Sequence, residues 1–144
     1  MKRKYYFVIL FLVLAIFLSG CGSEGIVTPA TDEAKVKSVI QDYFLAINDQ
    51  NWSKAKSYCV SGSDVYYETC LIEDEINALY QYASIVNIIC FIDISDVSVS
   101  GSYASAYCSG TITIIVDGIS HNSDFSSGYL YLQKVGNNWK IYDD

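Results

Sequence analysis

The spacing of apolar residues changes along this chain, from a period of about 3.6 before residue 87 to a period of two after it, and that change limits the fold more than any other feature. Asp32 to Asn48 carries Val36, Val39, Ile40, Tyr43, Phe44 and Ile47, the single buried stripe of a helix. Thr31 is placed to cap it, and Asp32 and Glu33 in the first turn complement the helix dipole. Asn48-Asp49-Gln50-Asn51 breaks the pattern, Trp52 to Cys59 predicts a short second helix, and a loop through Ser61-Gly62-Ser63-Asp64 follows. Glu73 to Val86 predicts a third helix, with Ile76, Leu79, Tyr80, Ala83 and Val86 at helical spacing. From Asn87 on, Ile88, Cys90, Ile92 and Ile94 alternate, as do Ala104, Ala106, Cys108, Ile112, Ile114 and Val116, with Gly101-Ser102 as the turn between them. Asp124 to Val135 and Trp139 to Tyr142 supply two more strands around a Gly136-Asn137-Asn138 turn. Helices first and strands after them predict the α+β class: N-terminal helices packed on a curved antiparallel sheet of about four strands.

The start of the chain is different in kind. Lys2-Arg3-Lys4 precedes an apolar run from Tyr5 to Leu18, the layout of a secretory signal. A membrane-spanning helix needs roughly 20 apolar residues, and this run meets Ser19-Gly20 too soon. Leu18-Ser19-Gly20-Cys21 resembles the lipobox of prokaryotic lipoproteins. The resemblance implies cleavage before Cys21, acylation of its thiol and a lipid-anchored chain facing outside the cytoplasm. Two acyl chains supply the two signals that stable anchoring requires. Gly22 to Thr31 (GSEGIVTPAT) reads as a tether with a span of about 17 Å. The expected organisation is therefore a signal peptide over 1–20, a lipidated cysteine and tether over 21–31, and one domain over 32–144.

Charge narrows the function. The whole chain has 144 residues and a formal charge of -7. The leader holds three of the 9 basic residues and none of the 16 acidic ones, so six basic against 16 acidic residues leave the remainder at -10. Nucleic acid, whose binding depends on Lys and Arg at phosphates, is excluded as a partner on this ground.

With Cys21 assigned to lipid, Cys59, Cys70, Cys90 and Cys108 remain, an even number bound for an oxidising compartment, and two disulfides are expected. Free buried thiols and a zinc site are the alternatives, but no C-x-x-C spacing is present, and no metal or cofactor is expected. If the strands turn at Gly101, Cys90 and Cys108 stand about four residues out of register, roughly 13 Å apart and too far to bridge. Each strand cysteine would then pair with one from the helical region.

The opening helix with Tyr43-Phe44-Leu45-Ala46-Ile47, the short helix at Asn51-Trp52-Ser53-Lys54-Ala55, the strand hairpins and the closing Gly136-Asn137-Asn138-Trp139-Lys140-Ile141-Tyr142 resemble the superfamily of nuclear transport factor-like domains, which includes ketosteroid isomerase and scytalone dehydratase. The resemblance implies a cone-shaped fold, a pocket between helices and concave sheet, and frequent dimerisation through the outer sheet face. The catalytic groups of those enzymes, a pocket carboxylate with tyrosine or a His-Asp pair, find no clear match here. The single histidine, His121, falls in the polar stretch Gly118 to Asp124 and reads as a solvated turn residue. Asp93 interrupts an apolar strand but alternates away from the cysteine-bearing side. No glycine-rich phosphate loop, nucleophile elbow or HExxH is present. Tyr43, Trp52, Tyr58 and Asp93 are the candidate pocket residues, and no catalytic residue is assigned. The expected function is a lipid-anchored extracytoplasmic domain that binds a partner protein or a small apolar ligand near the membrane, with a homodimer as one assembly. An isomerase- or dehydratase-like enzyme using the same pocket is the alternative.

Overall fold

The structure is a computed structural model that describes residues 30–142, and their side chains except those of residues 123–126. The leader, Cys21 and nearly all of the tether lie outside the described residues. No helix among the described residues is long and apolar enough to cross a membrane. Helix α1 spans Asp32–Asn48, with the Thr31 side chain accepting from the Ala34 N–H. It buries Val36, Ile40, Tyr43, Phe44 and Ile47 of the stripe read from the sequence, together with Ala46, and leaves Val39 half-buried. Helix α2 spans Trp52–Ser57 and is capped by Asn51, whose side chain accepts from the Lys54 N–H.

Helix α3 spans Asp64–Leu79, so it starts nine residues before the expected Glu73 and stops well short of Val86. Ser63, read as loop, is the N-cap: its hydroxyl accepts from the Tyr66 N–H and so satisfies one of the orphan donors of the first turn. Val65, Thr69 and Ile76 are its buried residues. The β-branched and aromatic run Val65-Tyr66-Tyr67 hides the helix from a propensity reading, because its χ1 cost is offset only by burial against the rest of the core. Beyond Leu79 the chain is held by Asp117, whose carboxylate accepts from the N–H groups of Ser84 and Ile85.

The sheet has four antiparallel strands in the order β1-β2-β3-β4: β1 Val86–Ser100, β2 Tyr103–Val116, β3 Ile119–Val135 and β4 Asn138–Tyr142. Three helices packed on this curved antiparallel sheet make the α+β fold expected from the change of period. Register shifts between Ser95 and Ser98 and between Cys108 and Gly110 bend the long strands. At the second shift Gly110 lies so close to β1 that a Cβ there would run into the Phe91 carbonyl. The β2–β3 connection is tighter than the sequence reading allowed. Asp117 and Gly118, with φ of 46 and 87, form the turn, because an Asp-Gly pair accepts the left-handed conformation that a two-residue hairpin demands.

The core lies between α1 and the concave face of the sheet, where Val36, Ile40 and Ile47 are buried along with Ile88, Ala106, Cys108, Leu132 and Ile141. Hydrogen bonds join the helical layer to both margins of the sheet. The Asn48 side chain accepts from the Cys90 N–H at 2.6 Å, and its amide donates to the Cys90 carbonyl. The Val86 carbonyl accepts from the Gln50 amide and from the Tyr80 hydroxyl. At the other margin, the Ile141 N–H donates to the Tyr58 carbonyl, and the Val60 N–H donates to the Ile141 carbonyl.

Candidate functional site

Between the second half of α3 and the concave sheet lies a cavity of about 540 Å³. Ile72, Ile76 and Leu79 wall it from the helix, Ile88, Ile112 and Ile114 from the sheet, and Ile47 from the end of α1. Among the described residues Glu75 is the one charged residue of its lining, and it sits on the exposed side of α3 beside Ala78. The local folding follows from the two periods. Helical spacing puts Ile72, Ile76 and Leu79 on one face of α3, and strand alternation sends Ile88, Ile112 and Ile114 to the same side of the sheet. A cavity of this volume with aliphatic walls and one polar group matches the general make-up of a small-molecule site. Among the described residues the lining holds no ionisable partner for this carboxylate.

The residues singled out from the sequence fall elsewhere. Tyr43 is buried in the core, where its hydroxyl meets Thr69 Oγ1 at 3.0 Å. Thr69 donates its own proton to the Val65 carbonyl at 2.7 Å, so Tyr43 is the donor in the first bond. Burial pushes the Tyr43 phenol up to about 12. Trp52 packs half-buried against the core. Tyr58 lines a separate cleft of about 350 Å³ of mixed character, with Lys35, Ser38, Val39, Trp139 and Lys140. Asp93 is exposed on β1, on the side away from Cys90, as its alternation foretold. The pocket residues proper, large aliphatics on α3 and the sheet, are read in the sequence only as core, since an aliphatic cavity wall and a core face carry the same pattern.

His121 is the correction with most bearing on chemistry. It lies within β3 rather than in a turn, paired with Ile114. Directly opposed residues of an antiparallel pair share a face, so His121 stands on the concave side next to a cavity wall, exposed and outside the lining.

The two disulfides expected from the even count do not form in this structure: Cys59, Cys70, Cys90 and Cys108 are all free thiols. Cys90 faces Ile112 and Cys108 faces Ile94, four positions apart, which is the offset that excludes a bridge between them. The Cys59 thiol donates to the Ala55 carbonyl at 3.7 Å and lies 4.0 Å from Thr69 Oγ1. Burial pushes Cys59, Cys90 and Cys108 up to about 11, so they stay protonated, unreactive thiols at neutral pH. Among the described residues no cluster of His, Cys, Asp or Glu could hold a metal ion.

Helices packed on a half-open antiparallel cone, with a cavity at their junction, define a nuclear transport factor-like, cystatin-like fold. Solved structures with this fold align along most of the chain. A candidate dehydratase of that family from Streptomyces avermitilis aligns with a TM-score of 0.60 and 16% identity, over 79% of this chain and 94% of its own. A ketosteroid isomerase-like protein from Erwinia carotovora aligns at 0.58 and 13%, over 78% and 92%. A Novosphingobium aromaticivorans protein with a cystatin-like fold aligns at 0.55 and 14%, over 76% and 77%. No protein-family model and no curated sequence matches the chain.

Proposed function

We propose that this protein is a lipid-anchored domain outside the cytoplasm that takes a small apolar ligand into the cavity between α3 and the concave sheet. The observation that carries the reading is the cavity wall: seven Ile or Leu side chains around about 540 Å³, with Glu75 alone to orient a polar end. Anchoring rests on Leu18-Ser19-Gly20-Cys21, with Cys21 as the acylated residue and Gly22 to Thr31 as the tether. An apolar compound partitions into lipid, so a carrier held near the membrane face meets it where it is concentrated.

Native mass spectrometry of the segment from Gly22 to Asp144, purified gently after export, tests the binding. The expected result is a bound mass that departs on activation and is absent when Ile114→Trp fills the cavity. A permanently empty cavity that also ignores added apolar dyes would sink the reading. Growth on labelled palmitate should label the parent chain and leave Cys21→Ser unlabelled.

Catalysis by an isomerase- or dehydratase-like route is a second reading, favoured by one arrangement: Glu75 in the cavity lining and His121 on the adjoining concave face. It requires that Glu75→Gln or His121→Ala abolish turnover while leaving binding intact. The binding reading requires that His121→Ala leave ligand capture unchanged.

A further inference from the structure

We propose that the cavity between α3 and the concave sheet selects a cationic amphiphile, an aliphatic body with a protonated amine at one end, and that Glu75 is the residue that selects it. This deepens the ligand-binding reading above and rests on it. Helical spacing places Glu75 three residues after Ile72 and four before Leu79, on the flank of the face that walls the cavity. The ligand body meets branched aliphatic side chains inside, and the carboxylate stands at the rim, where it is exposed. The two acids that precede Glu75 are placed differently. Glu73 is held by the Lys56 ammonium at 2.7 Å, and Asp74 is exposed and outside the lining. Among the described residues no cation pairs with Glu75.

Charge, hydrogen bonding and size together select the ligand. Residues 57–133 include nine acidic residues and no lysine or arginine, and they supply six of the seven apolar wall residues, all but Ile47. The elements around the cavity, α3, β1 and β2, therefore attract a positive head group and repel a negative one. A carboxylate accepts hydrogen bonds and donates none, so the polar end that meets Glu75 must donate. A protonated amine brings donors and the opposite charge, an alcohol brings one donor, and a fatty-acid carboxylate brings neither. The volume of about 540 Å³ is more than three times the roughly 150 Å³ that holds one benzene, so a chain of eight carbons fits with its head at the rim. Because the rim is wet, the ion pair is screened, and the discrimination it gives is about tenfold rather than thousandfold.

The test is equilibrium dialysis of octylamine, octan-1-ol and octanoate against the full, lipid-bearing chain in nanodiscs of a zwitterionic lipid. Ile114→Trp, which fills the cavity, is carried in identical nanodiscs, and the binding it lacks is the binding that belongs to the cavity. Should Ile114→Trp fail to fold, Ile72→Trp fills the space from the helix side. Octylamine is expected to bind about tenfold more tightly than octanoate, with octan-1-ol between them. Glu75→Gln should bring amine and carboxylate close to parity, and Glu75→Lys should reverse their order. Asp74→Asn, the same loss of charge one residue away, should leave the parent's preference in place. Equal capture of all three probes overturns the charge selection and leaves the apolar cavity reading standing, whereas capture of none overturns both. A preference for octanoate, as a positive charge on the neighbouring His121 would produce, overturns the proposal. So does an amine preference that Glu75→Gln does not lower, or that Asp74→Asn lowers equally.

Discussion

Buried groups that must stay neutral set the response of individual residues to alkali. Cys59, Cys90 and Cys108 are held at about 11 against 9.0 in an unfolded chain, and Tyr43 at about 12 against 10.0, in each case chiefly by desolvation. Between the unfolded and folded values the unfolded chain releases protons that the folded one keeps. Stability is therefore fully present below pH 9 and falls as pH rises towards 12. Thermal melts across that range should show a midpoint that is steady to about pH 8.5 and then declines; a level midpoint to pH 11 would contradict the burial of these groups. Asp32 responds to acid with the opposite sign. The Lys35 ammonium, and then that of Lys134, hold its carboxyl at about 2, below the ordinary 3.8. The contribution is present above pH 4 and is lost as pH falls through about 2. Asp32→Asn should melt below the parent at pH 7 and converge with it near pH 2; two parallel pH curves would refute the pairing. None of this was legible in the sequence, where Asp32 reads only as a first-turn acid and Tyr43 only as an apolar stripe member. The partners that tune them, Lys134 and Thr69, lie 102 and 26 positions away.

At the level of elements, residues that mark a turn or a close approach set the geometry. Gly110 sits where β2 presses against the Phe91 carbonyl, so Gly110→Ala must push two strands apart. A cost of roughly 1–3 kcal/mol is expected, read as a lowered urea midpoint with unchanged slope. A substitution without effect would show that the strands separate freely at that point. The α1 boundaries, the presence of four strands and the four-residue offset of Cys90 and Cys108 were readable, because each rests on a period or on one turn, but β3 begins at Ile119, five residues before the Asp124 read from the sequence. The start of α3 was not, since Ser63 and Thr69 show their roles only when the helix is packed. The Asp117-Gly118 hairpin was readable in principle: that dipeptide is the strongest short signal for a two-residue turn, but the polar residues after it look like a loop. Reading those residues as a loop puts His121 in a turn and hides its place on the concave face beside the cavity.

In the whole molecule, the cavity is a product of the junction between layers and belongs to no single segment. Its walls come from α1, α3, β1 and β2, and each wall residue taken alone looks like core. Ile114→Trp should fill it, lowering apolar-dye binding by about tenfold or more while leaving the sheet's circular dichroism intact. Undiminished dye binding would place the dye elsewhere. The ties between helices and sheet margins have a further consequence. A linear sheet ends in two strands whose outward backbone groups are templates for another chain, and domains without a safeguard there aggregate. Here the Asn48 amide stands in for a missing neighbour strand at Cys90, Gln50 and Tyr80 do the same at Val86, and the segment through Cys59 closes β4 at Ile141. Removing the Asn48 amide by Asn48→Ala should therefore show up as self-association on heating more than as a lower melting point. On the lipid-anchored reading proposed above, such ties would matter more, because tethering would raise the rate at which exposed strands from neighbouring copies find each other.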